Sequence, residues 1–335
     1  MNYPIQDITV RKAADIRDVH VDVPLSTMSV AYMQSREEFI ADKVFPNIPV
    51  PNLSGRYYKF AQDTFFRNRG RKWTPGTPMP QSMFNLDNTP TYGCEFRAFE
   101  HPLRWDIAAN ADSVINFERA TAEFIAQTLL LGREVEWSNK FFTTSVWGTD
   151  LTGVSSGPNS TQFIKWDDYE NSNPIEDFTK AIITVKGKTG FTPNVAIMSE
   201  QVYQKIRIHP VIKEMFKYTQ VPITTTDMIA NVLGVKKLYV GSAIVATSEE
   251  DAATFVSDWV FGKNAWLGYV PDSPSLMMPS AGYTFSFTGM GAGMEIAIQR
   301  IPDQRHMVDY TQGFMCYDQK VIGADLGIFF SGAIS

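Results

Sequence analysis

Two aromatic runs, Arg56-Tyr57-Tyr58-Lys59-Phe60 and Tyr92-Gly93-Cys94-Glu95-Phe96-Arg97, are separated by thirty-one residues rich in Arg, Pro, Gly, Met and Asn. Both runs have the composition of strands. A connection of that length is uncommon inside a compact domain unless it has a function. The spacing predicts a two-stranded ribbon that projects outward. Its centre is basic, Arg67-Asn68-Arg69-Gly70-Arg71-Lys72, and runs on into Trp73-Thr74-Pro75-Gly76. Residues 55–105 carry eight Lys/Arg against four Asp/Glu, and the rest of the chain carries 22 against 32. The formal charge of −6 is therefore a basic ribbon on an acidic body. Such a segment suits nucleic acid or the acidic body of a neighbouring copy. A solvated loop with a basic tip is the plainer alternative. No zinc-finger, helix-turn-helix or RNP-like pattern accompanies the charge, so sequence-specific reading of nucleic acid is not expected. Phe65-Phe66 and Trp73 add aromatic surface that calls for a partner.

Before the ribbon, residues 1–36 are polar and weakly periodic, which predicts an extended arm that needs another surface to lie on. Three prolines in six residues, Pro46, Pro49 and Pro51, then force an extended path. After the ribbon, Asn116 to about Thr143 is the strongest helix signal. Asn116 is a good N-cap, and Phe117, Ala120, Phe124, Leu131 and Val135 recur at helical spacing. Twenty-eight residues would rise ~42 Å, a longer strut than a single domain usually needs.

Residues 145–173 read as loop, with Gly153, Gly157 and Pro158 among repeated Ser and Asn. A mixed α/β unit then opens at Asn173-Pro174-Ile175-Glu176-Asp177, with proline at the first helical position and acids in the first turn. From Trp259 onward strands dominate, including Tyr283–Phe287, Glu295–Ile298 and Lys320–Ala324. No apolar run approaches the ~18 residues of a membrane span, and the start shows no signal-peptide pattern. Cys94 and Cys316 are too few for a disulfide framework or a cysteine zinc site, so a reducing compartment is expected.

Catalytic constellations are nearly absent. His20, His101, His209 and His306 lie far apart, none at metal-ligand spacing. Gly187-Lys188-Thr189 resembles the end of a phosphate loop but closes a helix instead of opening one. Gly289–Gly293 lies between strands and reads as a hairpin, not a dinucleotide turn. No nucleophile elbow exists, and Glu134 and Glu136, two apart on a helix, face different directions. No enzyme activity, cofactor or metal is expected.

The succession resembles the major capsid (head) protein of tailed bacteriophages, the family with the HK97-like fold. The resemblance rests on Phe39-Ile40-Ala41-Asp42-Lys43-Val44-Phe45-Pro46 and on Pro75-Gly76-Thr77 and Thr91-Tyr92-Gly93-Cys94 in the ribbon. It continues through the long helix, Thr192–Met198, His209-Pro210, Leu233-Gly234-Val235 and Val260–Tyr269. It implies an α+β fold with an N-terminal arm at 1–49 and an extended loop at 50–105. A peripheral domain with a spine helix would span 106–173, an axial domain 174–290, and strands returning to the peripheral sheet 291–335.

The function implied is self-assembly into an icosahedral shell around double-stranded DNA. Implied partners are copies of itself in hexamers and pentamers, a portal protein, and a separate scaffold or decoration protein. Contact with packaged DNA would be non-specific, without membrane involvement, in a virion made in the cytoplasm of a bacterial host. Contact between subunits falls to Arg67, Arg69, Arg71, Lys72 and Trp73 of the extended loop. Some relatives carry a long charged N-terminal scaffold segment; nothing of that kind is visible here, so a scaffold is expected to be separate, absent or removed. Some relatives also cross-link through a loop lysine, but no motif singles out Lys59 or Lys72. A nanocompartment shell of the same fold, or an α/β hydrolytic enzyme with its site on the 145–173 loop, are the competing readings.

Overall fold

The computed structural model describes residues 34, 38–60, 66–68, 70, 72–79, 81, 86–110, 117–216, 225–249, 252, 254–273, 278–289 and 296–335. In chain order the first elements are α1 (Ala41–Val44), β1 (Asn47–Val50), β2 (Ser54–Arg56), β3 (Lys59–Phe60), β4 (Leu86–Asp87), β5 (Thr91–Gly93) and β6 (Glu95–Arg104). There follow α2 (Trp105–Asn110), α3 (Phe117–Phe141), β7 (Thr149–Val154), β8 (Gln162–Ile164), α4 (Pro174–Thr189), β9 (Val195–Ser199), α5 (Glu200–Ile208), α6 (Pro210–Phe216) and α7 (Thr226–Val232). The chain closes with β10 (Lys237–Gly241), β11 (Ile244–Ala246), β12 (Ser257–Trp259), β13 (Ala265–Gly268), β14 (Gly282–Phe287), β15 (Ala297–Asp303), β16 (Val308–Val321) and β17 (Gly327–Ser331).

Two sheets organise these elements. In the five-stranded sheet, β16 is the hub: β6 pairs along one edge, and β15 and β14 share the other, with β1 parallel to β14. The six-stranded sheet runs β10-β9-β13-β17-β7-β8. Its central strands β9 and β13 are buried along their whole length, as expected of strands covered on both faces.

The long helix is α3, 25 residues, or ~37 Å at 1.5 Å per residue. The proposed N-cap Asn116 lies outside the described residues. The buried stripe also differs from the expected face. Thr121, Ile125, Leu129, Arg133, Trp137 and Phe141, four residues apart, are buried, whereas Phe124 is 46% exposed. Apolar residues surround the helix through much of its length, so periodicity alone left the core face ambiguous. Two charged residues, Arg133 and Glu134, sit on the buried side, where sequence reasoning expects none. One flank of this stripe packs Ile125 and Leu129 on Met315 and Tyr317 of β16. The other packs Leu130, Trp137 and Phe141 on Phe39, Ile40, Val44 and Phe45.

That second contact corrects the reading of the N-terminal segment. Residues 1–33 lie outside the described residues, but 38–50 are core and sheet, not a projecting arm. Phe45 is fully buried, with its ring 5.6 Å from that of Trp137 in an edge contact. The prolines do keep the path extended, and Pro49 is tolerated because β1 is an edge strand.

The sheets also cut across the linear divisions. Residues 145–173, expected as loop, carry β7 and β8 of the six-stranded sheet. β17, from the 291–335 stretch, joins them, while β14, from the 174–290 stretch, lies in the five-stranded sheet. β6, placed in the extended loop, pairs with β16 from Glu95 to Arg104. Strand partners distant in sequence made these choices, and no local pattern encodes a partner. The opening of α4 is as expected, with Pro174 first and the Asn173 side chain accepting from the Glu176 amide at 3.4 Å.

Candidate assembly interface

The extended loop begins as a narrow antiparallel ribbon. Gly55 faces Tyr92 in the β2–β5 pair, and Lys59 faces Asp87 in the β3–β4 pair. Its root is fastened to the five-stranded sheet. Tyr57 and Tyr92 stack on Phe285 of β14, with ring centroids 5.4 and 4.8 Å away. The Gly93 amide donates to Asp318, and the Cys94 amide to the Leu53 carbonyl at 2.7 Å. Burial first, then the neighbouring Cys316, pushes the Cys94 thiol up to about 11. Cys94 is therefore an inert core thiol at neutral pH.

Beyond the root the side chains turn outward. Tyr58, Phe66 and Met79 are 66, 59 and 65% exposed, and Trp73 is 42% exposed. Arg67 and Lys72 are exposed beside them; Arg69 and Arg71 lie outside the described residues. The tip has a defined shape. Thr77 donates its amide to the Thr74 carbonyl at 3.2 Å, closing a turn with Pro75 second and Gly76 third at φ +94°. That is a type II turn, whose third position favours glycine. The Trp73 indole donates across it to the Thr77 carbonyl at 2.7 Å. The Phe66 ring lies over Gly190, so close that a Cβ there would be 3.0 Å from it. An aromatic, basic tip is thus presented on an anchored stalk.

A second exposed surface was not foreseen. On the face of the five-stranded sheet away from α3, Phe96, Ala98 and Phe314 line a shallow cleft of about 560 Å³. A polar ladder crosses it: Gln299 donates to Gln312 at 3.0 Å, and Gln312 donates to Glu100. Both phases of 96–102 contain apolar residues, so alternation does not reveal which faces outward.

Among the described residues no group of three His, Cys, Asp or Glu is placed to hold a metal. The chemical candidates have structural partners. His209 lies against Ser172 and His306 against Asp303, and His20 is outside the described residues. Glu134 binds backbone amides of Ile40 and Ala41, whereas Glu136 meets Arg97, Lys140 and Tyr317, so the two carboxylates do face apart. No described helix is long and apolar enough to cross a membrane.

A hub-stranded sheet crossed by a spine helix, a second sheet under α4 and α5, and an extended ribbon make up an HK97-like fold. No family model matches the chain. It is 26% identical over 326 residues to the major capsid protein of Burkholderia phage BcepMu, covering 93% of this chain and 96% of that protein. A phage-related protein of Bordetella bronchiseptica RB50 superposes with a TM-score of 0.68 at 22% identity, covering 90% of this chain and 94% of that one. The capsid of cyanophage P-SCSP1u superposes with a TM-score of 0.58 at 10% identity, covering 96 and 95%. The chain is a phage capsid shell protein with an HK97-like fold.

Proposed function

We propose that the chain builds an icosahedral head around the double-stranded DNA of a tailed bacteriophage, as hexamers and pentamers of itself. The extended loop, through Arg67, Arg69, Arg71, Lys72 and Trp73, makes the contact between neighbouring copies. The observation that carries this is the aromatic, basic tip held out from a root locked on the sheet. The exposed aromatic surface of such a tip gains burial from another molecule, and its net positive charge suits the acidic body of a second copy. The same acidity keeps the shell from gripping packaged phosphate. The role is structural, without turnover. Portal, scaffold or decoration proteins, assembly in the bacterial cytoplasm and residence in the virion belong to this reading, and full-length likeness to a phage capsid protein favours it over a nanocompartment. The peripheral unit is best drawn around the five-stranded sheet and α3, and the axial unit around the six-stranded sheet.

The test is the triple variant Arg67→Glu, Arg69→Glu, Arg71→Glu, followed by light scattering and negative-stain microscopy. Particle yield should fall while circular dichroism stays that of the folded subunit. Unchanged yield removes the loop-contact assignment. A parent chain that stays monomeric under every assembly condition removes the shell reading itself.

A further inference from the structure

β11 and β12 form a two-stranded sheet of their own, apart from both large sheets. The base of this hairpin is fixed in the core. The Val260 amide donates to the Ala243 carbonyl at 3.0 Å, and the Ser138 hydroxyl of α3 donates to the Val260 carbonyl at 2.8 Å. Ala243, Val260 and Phe261 pack there with Trp137 and Phe142. The far end is closed by the Thr247 amide on the Val256 carbonyl at 2.9 Å and the Ala252 amide on the Glu249 carbonyl at 3.2 Å. Phe255 at that end is 70% exposed, the most of any large apolar side chain among the described residues, and Val256 beside it is 52% exposed. Glu249 is exposed as well; Glu250 and Asp251 lie outside the described residues. Residues 247–259 hold four Asp/Glu and no Lys/Arg, whereas residues 66–79 of the extended loop hold four Lys/Arg and no Asp/Glu. Two anchored projections thus end in tips of opposite charge, each with exposed apolar surface.

We propose that the tip of the β11–β12 hairpin is the seat on one copy for the extended-loop tip of a neighbouring copy. The inference rests on the loop-contact reading above and names the surface that the loop meets. Acidic residues are spread over the whole body, but here they stand beside Phe255 and Val256, the counterpart of Phe66, Trp73 and Met79 on the loop. The chain's own loop leaves this seat uncovered: Phe66 lies against Gly190, and Phe255 stays exposed. Burial of the apolar side chains supplies the affinity. Opposite charge speeds the encounter and rejects wrong registers, since each exposed ion pair adds little by itself. Reversing one set of charges brings like charges together, so reversal is the sensitive probe of the contact.

Charge exchange in the full-length chain tests this at low ionic strength, where screening is weakest. Particle yield is read by light scattering and folding by circular dichroism. One chain carries Arg67→Glu, Arg69→Glu and Arg71→Glu; a second carries Glu249→Lys, Glu250→Lys and Asp251→Lys. Each alone should fold and lose most of its particle yield. A chain with both sets should regain it, and so should a one-to-one mixture of the two single-set chains, where every loop finds an oppositely charged hairpin on the other chain. Recovery in the double-set chain but not in the mixture would place the contact within one chain and overturn the proposal. Full yield from the hairpin-reversed chain, or no recovery in either arm, also overturns it, and the loop reading stands as long as loop reversal costs particles. Loop reversal without effect removes the loop reading and the seat together. Should the hairpin-reversed chain not fold, Phe255→Ser decides: lost particles from a folded subunit support the seat, and unchanged yield overturns it.

Discussion

Gly313 of β16 leaves the space that Ile125 of the spine helix fills: a Cβ at Gly313 would lie 2.2 Å from Ile125 Cγ2. Helix and sheet meet there at a distance that only glycine permits. Gly313→Ala should destabilise the subunit by about 1–3 kcal/mol through overpacking, since Ile125 is branched and fully buried. Ile125→Ala should cost about 2–5 kcal/mol by leaving a cavity. Denaturant melts of both singles and the double decide the coupling. Costs that simply add would mean that the two residues do not share this space.

Arg97 and Glu136 tie β6 to the same helix. Glu136 accepts from Arg97 Nη2 at 2.9 Å, Lys140 at 2.6 Å and the Tyr317 hydroxyl at 3.0 Å. Burial alone would raise the Glu136 carboxyl, but hydrogen bonds and charge from Arg97 and Lys140 outweigh it and hold the group below its ordinary 4.5. Its contribution is present above 4.5 and is lost as the pH falls through the lowered value. Urea melts across the acid range should therefore show a shallower loss in Glu136→Gln than in the parent. Arg97→Ala should cost about 1–3 kcal/mol at neutral pH, because it removes the two guanidinium hydrogen bonds to a partly buried carboxylate and leaves it only Lys140 and Tyr317.

His209 titrates in the neighbouring window with the same sign. Its Nδ1 accepts from the Val211 amide at 3.3 Å, so the proton sits on Nε2, 3.0 Å from the Ser172 hydroxyl. Burial holds the imidazole below its ordinary 6.5, and a second proton would face the Val211 N–H. Stability is present above 6.5 and is lost as the pH falls through the lowered value. His209→Gln should flatten that part of the profile, seen as a smaller drop in thermal midpoint on acidification. An equal drop in both proteins would exclude His209 as its source.

Changes at the turn Thr74–Thr77 should separate assembly from folding if the loop makes the proposed contact between copies. Gly76→Val places a branched residue at φ +94°, which strains the tip without touching the core. Trp73→Ala removes the indole that braces the turn. Either change should lower particle yield by light scattering while leaving the thermal midpoint of the subunit within a degree or so of the parent, as surface changes usually do. A fall in midpoint that tracks the loss of particles would place the defect in the fold instead of the contact.

The features legible in the sequence are those set by neighbours along the chain. The helix at Phe117–Phe141, the start of α4 at Asn173-Pro174, the ribbon and its basic tip follow from periodicity, caps and an unusually long polar connection. The class of protein was legible too, in the order of diffuse apolar motifs. The sheet cleft at Phe96 and Phe314 was not, because neither phase of β6 is clearly polar.

Opposite outcomes for similar signals mark the boundary. Glu134 and Glu136 look alike in the sequence, two acids near the end of one helix; one is sealed against Ile40 and Ala41, the other meets Arg97 from a strand. Residues 38–50, with three prolines nearby, read as part of an extended N-terminal arm and instead contribute to the core and to an edge strand of the five-stranded sheet. The sequence by itself determined the local elements, the acidic body with its basic projection, and the absence of a visible catalytic motif. Tertiary structure alone decided which strands share a sheet, which face of α3 is inward and which charges lose their water. Those choices depend on partners tens to hundreds of residues away, whose contacts outweigh local preference once the chain is folded.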